Sequence, residues 1–280
     1  MSPWKPLGLI ASGRMADSLL LRRPALGRHL GPVAAADARL ASRYSNRLRA
    51  GYPARPEDLR SCGLIVLHTD TAGLARLLEL LRRIGPWRGA HFVLLHAELD
   101  SSALDEFRAA GARVCSAAPA PAPSRDLVVV EGDRSALRRA TAWLEDAHLR
   151  CLELAPGSKP LFLVGAQMPG WLLIPVFDAA FQTLKAAGLS PAEARRMLRF
   201  LGDAAVREFA AHGRRGWEDP AAAPRAAVTA AARKALMEAS PRLGRFEEAM
   251  LAAVAEFYGG TAGQRPEGES RVLRVRLSIP

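Results

Sequence analysis

Lysine is nearly absent from this 280-residue chain: only Lys5, Lys159, Lys185 and Lys234, against 35 arginines. Cysteine is equally scarce, with Cys62, Cys115 and Cys151 far apart. An odd, scattered set excludes a disulfide framework, and no CxxC pair or His/Cys spacing suggests a metal site. Isolated cysteines in apolar surroundings suit a reducing cytoplasm. Aromatics make up 6% and do not interleave with the arginines, which excludes a base-stacking platform for nucleic acid. No run of about 20 apolar residues free of charge is read, which argues against a membrane span. The first residues lack a basic start followed by a small-residue cleavage pattern of the secretory kind.

What is present is 49% hydrophobic residues, enough for a sizeable core. The net charge of +11 is spread along the chain. In an Ala-, Gly- and Pro-rich sequence it reads as arginine placed wherever a surface cation is tolerated. Clustered cations would gain affinity for nucleic acid by releasing counterions, but no cluster stands out and no such partner is expected.

Short apolar runs alternate with helical patterns up to about residue 150. Strands are expected at 6–11, 32–36, 63–67, 91–96, 112–116 and 127–131, with a loop over 117–123. Helices are expected from Gly13 to Leu21, at 38–50 closed by Gly51, at 72–84, 101–110 and 135–147. Such βαβ alternation predicts a parallel, doubly wound sheet covered on both faces. From Lys159 the pattern becomes helical, at about 160–187, 190–212, 224–239 and 242–258, with Ser190, Pro191 and Glu193 as a capping box. The tail 271–279 alternates partly and reads as a late edge strand. The expected domains are 1–152 (dinucleotide-binding), 153–260 (helical) and a tail, 261–280.

In a doubly wound sheet, ligands sit beyond the carboxyl ends of the strands at the switch point. There the chain reads Ala11-Ser12-Gly13-Arg14-Met15-Ala16-Asp17. The three glycine places of a GxGxxG dinucleotide fingerprint fall on Ala11, Gly13 and Ala16. The middle one, which lets backbone approach a pyrophosphate, is kept. The alternative is a tight βα turn without a ligand. Asp37, about twenty residues on, is placed to bind a ribose 2′-hydroxyl of NAD. Arg39 and Arg43 could instead hold the 2′-phosphate of NADP, or simply lie on a helix surface. His68, Thr69 and Asp70 close the third strand and would line the same crevice, and Asp70 also reads as the N-cap of the next helix.

These segments resemble a bacterial family of Rossmann-like proteins with a helical C-terminal domain of unknown function. That family is related to pyrroline-5-carboxylate reductase, ketopantoate reductase and the 6-phosphogluconate dehydrogenase group. The resemblance covers roughly residues 6 to 220. It is carried by the turn at 10–20, by Cys62–Asp70 (CGLIVLHTD), His96–Leu104 (HAELDSSAL) and Gly111–Pro119 (GARVCSAAP), and by Val130-Glu131-Gly132-Asp133 and Gly213–Trp217 (GRRGW). It implies the Rossmann-like α/β domain followed by an all-helical one, a bound NADP or NAD, a homodimer through the helices, and an unassigned small-molecule substrate.

The chain departs from the family pattern at several polar places. Thr69 stands for a Pro, Ala118 for a His, Phe162-Leu163 for a Tyr-His pair and Trp171 for an Asn. A hydride-transfer enzyme needs a proton-handling group near the reacting carbonyl or imine. His96, Ser101 and Lys159 are the remaining candidates, with Asp70 beside them. His96 can equally be a structural histidine, and Lys159 can point inward or cover the surface. The expectation is therefore an NAD(P)-dependent oxidoreductase-like protein acting on a small carbonyl or imine. A non-catalytic dimeric scaffold or dinucleotide sensor is the alternative.

Overall fold

The computed structural model describes residues 6–15, 18–121, 126–216 and 226–259. The expected edge strand at 271–279 and the fingerprint residues Ala16 and Asp17 lie outside them. Two compact units divide between Gln167 and Met168.

The first unit is built on eight strands: β1 (Leu7–Ala11), β2 (Leu30–Ala34), β3 (Tyr52–Pro53), β4 (Leu64–His68), β5 (His91–Leu95), β6 (Arg113–Pro119), β7 (Leu127–Gly132) and β8 (Arg150–Glu153). Their order is β3-β2-β1-β4-β5-β6-β7-β8. Every neighbouring pair is parallel except β6–β7. Residues 120–126 between those two are too few for a crossover, so the chain can only turn back.

Side chains alternate between the faces. Leu9, Val66, Val93 and Val128 pack on one side with Leu20 of α1 (Leu19–Arg22) and Leu137, Trp143 and Leu144 of α5 (Arg134–Asp146). Tyr44 and Leu48 of α2 (Ala38–Leu48) join this side. Ile10, Ile65, Phe92 and Val114 pack on the other with Leu77 and Leu81 of α3 (Leu74–Ile84) and Phe107 of α4 (Asp105–Ala109). Both faces are dry, which explains why these strands read as continuous apolar runs. Each fully buried Leu or Ile contributes about 1.5–3 kcal/mol.

Several expectations are corrected. The first helix does not begin at Gly13: α1 has four residues, capped by Ser18, whose hydroxyl accepts from Leu20 N–H at 3.2 Å. Pro24 then opens a separate 3-10 turn, Pro24–Gly27. The second strand begins and ends two residues earlier, β3 and β8 were not expected, and the segment expected as one helix over 101–110 is a 3-10 turn, Ser101–Leu104, followed by α4. Part of the expected loop at 117–123 belongs to β6.

The second unit contains most of α6 (Lys159–Ala186), then α7 (Pro191–His212), α8 (Ala226–Ala239) and α9 (Pro241–Gly259). The predicted capping box forms: Glu193 N–H donates to Ser190 Oγ at 3.3 Å, and Ser190 N–H donates to Glu193 Oε2 at 2.9 Å. Residues 160–177 of α6 carry no charge, and this helix is long and apolar enough to cross a membrane by length and composition, which corrects the reading that no such run exists. It leaves Leu161 76%, Trp171 59% and Ile174 69% exposed, while Phe200 and Phe209 of α7 are also open.

Candidate functional site

A cleft of about 350 Å³ opens beyond the carboxyl ends of β1, β4, β5 and β6. The sheet order reverses direction between β1 and β4, so this is the switch point. Arg14, Ser18, His68, Asp70, His96 and Glu98 are among its lining.

The turn after β1 is knitted into the loop after β4. Ser12 N–H donates to His68 O at 2.9 Å, extending the parallel ladder, and Ser12 Oγ donates to Gly73 O at 3.1 Å. Tyr44 OH donates to Gly13 O at 2.8 Å. Gly13 has φ +74, a conformation that costs a side chain strain, and a Cβ on it would lie 2.2 Å from Asp70 Oδ1. Asp70 Oδ2 accepts from Arg14 N–H at 3.0 Å, and Oδ1 accepts from Gly73 N–H at 2.7 Å. The Arg14 N–H, joined by that of Gly73, holds the Asp70 carboxyl below its ordinary pKa. Asp70 thus caps the 3-10 turn Thr71–Gly73, as expected, and also closes the glycine turn. Ala11 is buried in β1, and Met15 points into the core rather than the cleft.

Two buried imidazoles stand next to this turn. His68 ends β4; its Nε2 lies 3.3 Å from Arg14 O, and its Nδ1 lies 3.4 Å from Ser18 Oγ. A carbonyl only accepts, so Nε2 carries the proton. Burial lowers the pKa of His68. His96 follows β5. Its Nδ1 accepts from Glu98 N–H at 3.1 Å and from Leu99 N–H at 3.0 Å, which again leaves the proton on Nε2. Burial, and then the charge of Lys159, lower its pKa. Both rings are therefore neutral at pH 7.

Behind the cleft lies a polar network whose centre, Ser101, Ser116, Glu131 and Lys159, is buried. Lys159 is fully buried, and Nζ donates to His96 O at 2.6 Å, Leu99 O at 2.7 Å and Ser116 Oγ at 3.4 Å. Burial pulls its pKa down to about 8, against the opposing pull of Glu131. Glu131 stands directly across the β6–β7 pair from Ser116 and takes a hydrogen bond from its hydroxyl. It also accepts from Ser101 N–H at 2.7 Å, Ser101 Oγ at 2.8 Å and Gly157 N–H at 2.9 Å. Asp133 accepts from Val114 N–H at 2.8 Å and from Arg108 Nε at 3.2 Å.

Of the three residues singled out for catalysis, the structure puts His96 in the cleft. Ser101 and Lys159 lie behind it, and Lys159 grips the two carbonyls that bracket the His96 turn. Asp37 caps α2, accepting from Leu40 N–H at 2.8 Å, with Arg39 exposed on that helix just past β2. Neither is part of the cleft lining. Thr69 donates to Asp70 O at 2.9 Å. The sequence reading missed Glu131 and Ser116 as a unit, and Ser18. An acid ending an apolar strand, LVVVE, was the available signal for Glu131.

No family model matches the chain, and no curated protein matches its sequence. Solved structures match its fold. An imine reductase variant from Myxococcus stipitatus in complex with NAD+ has TM-score 0.64 and 15% identity, covering 94% of this chain and 96% of that one. An imine reductase from Streptomyces aurantiacus has TM-score 0.60 and 18% identity, covering 91% and 95%. A reductive aminase from Aspergillus terreus in complex with NADPH and ethyl-5-oxohexanoate has TM-score 0.57 and 15% identity, covering 94% and 97%. The Rossmann-like fold with a helical C-terminal region is therefore shared along nearly the whole chain.

Proposed function

We propose that this chain is an NAD(P)-dependent oxidoreductase-like protein that acts on a small carbonyl or imine. The observation that carries the reading is the switch-point cleft: an anion-selecting turn at Gly13-Arg14 beside a neutral imidazole, His96, with a fixed proton on Nε2. Support also comes from fold neighbours in complex with NADPH or NAD+. The donor chemistry of the turn fits a diphosphate, since a carboxylate already uses it as an anion site. Gly13 and Arg14 would face that diphosphate, with Ser12 fixing the turn behind them through His68 O and Gly73 O. Asp37 would meet a ribose hydroxyl, and Arg39 a 2′-phosphate. Thr69 would border the nicotinamide end, and Asp70 would lie against the diphosphate turn.

When bound, a nicotinamide supplies or accepts the hydride. The chain's part is to bind, orient and polarise. His96 is neutral, so it would polarise a carbonyl by donating a hydrogen bond, a role open to imidazoles with lowered pKa, and the proton that completes the reduction would come from water in the cleft. His68 would hold the turn through Arg14 O. Calorimetry with NADPH and with NADH, followed by absorbance assays with cyclic imines and small ketones, tests the reading. Saturable binding with turnover supports it, and absence of binding to either nucleotide defeats it.

The second reading is a non-catalytic dinucleotide sensor or scaffold. Apolar residues at Ala118, Phe162, Leu163 and Trp171 favour it. Saturable binding without turnover of any imine or ketone would select it.

The helical unit would pair with a second copy of the chain. A helix as apolar all round as α6 needs cover on every side, and its large side chains are open. Sedimentation at several concentrations tests the homodimer. Recovery in the membrane fraction would select the bilayer instead, against the cytoplasmic placement proposed here on the three free thiols.

A further inference from the structure

We infer that Asp70 sets the phosphate affinity of the glycine turn: its carboxylate is a built-in anion seated on the backbone donor that a dinucleotide phosphate would take. The inference rests on the cofactor reading above. A glycine at this place is normally understood as leaving room for phosphate to approach backbone. Here that room is filled from inside, because the position of a Gly13 Cβ falls 2.2 Å from Asp70 Oδ1. The Arg14 N–H is already donated, to Asp70 Oδ2 at 3.0 Å.

The carboxylate cannot retreat inward. A Cβ on Gly73 would meet Thr69 Oγ1 at 2.7 Å and Gly13 N at 3.0 Å, so the two loops are in close contact behind it. The Asp70 side chain is 29% exposed, so the way out is toward solvent. The Arg14 side chain is 94% exposed, with Nε 3.8 Å from Oδ2, and is positioned to follow either anion. Binding a diphosphate therefore exchanges one anion for another on the same donors. If the carboxylate stays nearby, the two negative charges also repel.

Asp70→Asn tests this. The amide keeps an acceptor oxygen for Gly73 N–H, loses the charge, and cannot accept from Arg14 N–H through its nitrogen. Asp70→Ser keeps a cap for the 3-10 turn with a shorter reach, and a thermal melt establishes that each variant is folded. Calorimetry with NADP+ and with inorganic pyrophosphate is expected to give Kd values about tenfold or more below wild type in both variants. Glu57→Gln removes the same charge from an exposed position outside the cleft lining, and is expected to shift Kd by less than about threefold. Unchanged or weaker binding in both Asp70 variants overturns the inference while leaving the cofactor reading intact, and equal tightening by Glu57→Gln also overturns it. If wild type and variants all fail to bind NADP+ and NAD+, the cofactor reading falls and the inference with it.

Discussion

Lys159 keeps a charge where no water reaches it, and pH can read the cost. Burial lowers its pKa from 10.5 to about 8. At about 1.4 kcal/mol per pKa unit, the protonated lysine costs the folded state about 3 kcal/mol at pH 7. Below pH 8 both states hold the proton and the whole cost is present. Between pH 8 and 10.5 the folded lysine releases its proton while the unfolded one keeps it, so the unfolded state binds more protons and stability rises with pH. From pH 7 to pH 9 the gain is about 1 kcal/mol. Higher pH would confuse the test. The thiols of Cys62 and Cys151 are pushed up to about 11 and 12, so they hold protons in the folded state that the unfolded state releases, and they subtract stability above their ordinary range. Urea unfolding of wild type and Lys159→Met, followed by far-UV circular dichroism at pH 7 and pH 9, isolates the lysine. The wild-type midpoint should rise relative to that of Lys159→Met. Parallel shifts in the two proteins would refute the claim that Lys159 is charged and desolvated in the folded state.

Gly132→Ala should cost about 3 kcal/mol or more, since φ is +129 and the new Cβ would lie 2.5 Å from Val114 O; an unchanged melting temperature would contradict the packing of β6 on β7. His68 and His96 have lowered pKa values, so the unfolded chain takes protons that these folded rings refuse. Stability should fall as pH drops below about 6.5, and His96→Gln should flatten part of that slope in denaturation curves taken from pH 7 to pH 5. If turnover is found, the same variant should lower kcat with little change in the Kd for NADP+; a large change in Kd would place His96 against the nucleotide instead. Burial raises all three thiols, so a disulfide exchange reagent should label them slowly in the native protein and rapidly in urea. Rapid native labelling would show that these sites open.

The fold was legible where burial and period agree. The runs at 63–67 and 91–96 had to be strands between dry faces, and the helices at 191–212 and 241–259 each begin at a Pro after a Ser. Short elements were not legible. β3 has two exposed residues and β8 four of which none is buried, and their pairing partners, not their own composition, make them strands. The antiparallel β6–β7 step left no mark on either strand, because both faces are buried whichever way the chain runs. Its only trace was a connection too short for a helix.

The site shows a different limit. Single residues could be nominated from sequence, but what each does depends on who reaches it first. Lys159 and Ser101 had the right chemistry for catalysis, yet Glu131 and the carbonyls of His96 and Leu99 use their hydrogens. Their effect on the cleft passes through the 96–99 turn, which fixes the His96 tautomer. Asp70 was readable as a helix cap from its place after β4, and that reading holds. Its second acceptor, reaching across 56 positions to the amide of Arg14, could not be read from either segment alone. It depends on β1 and β4 being adjacent and in the register that sets Ala11 beside His68. The same adjacency that creates a switch-point site thus delivers a carboxylate onto it, so a glycine at the turn does not by itself leave the turn open to phosphate.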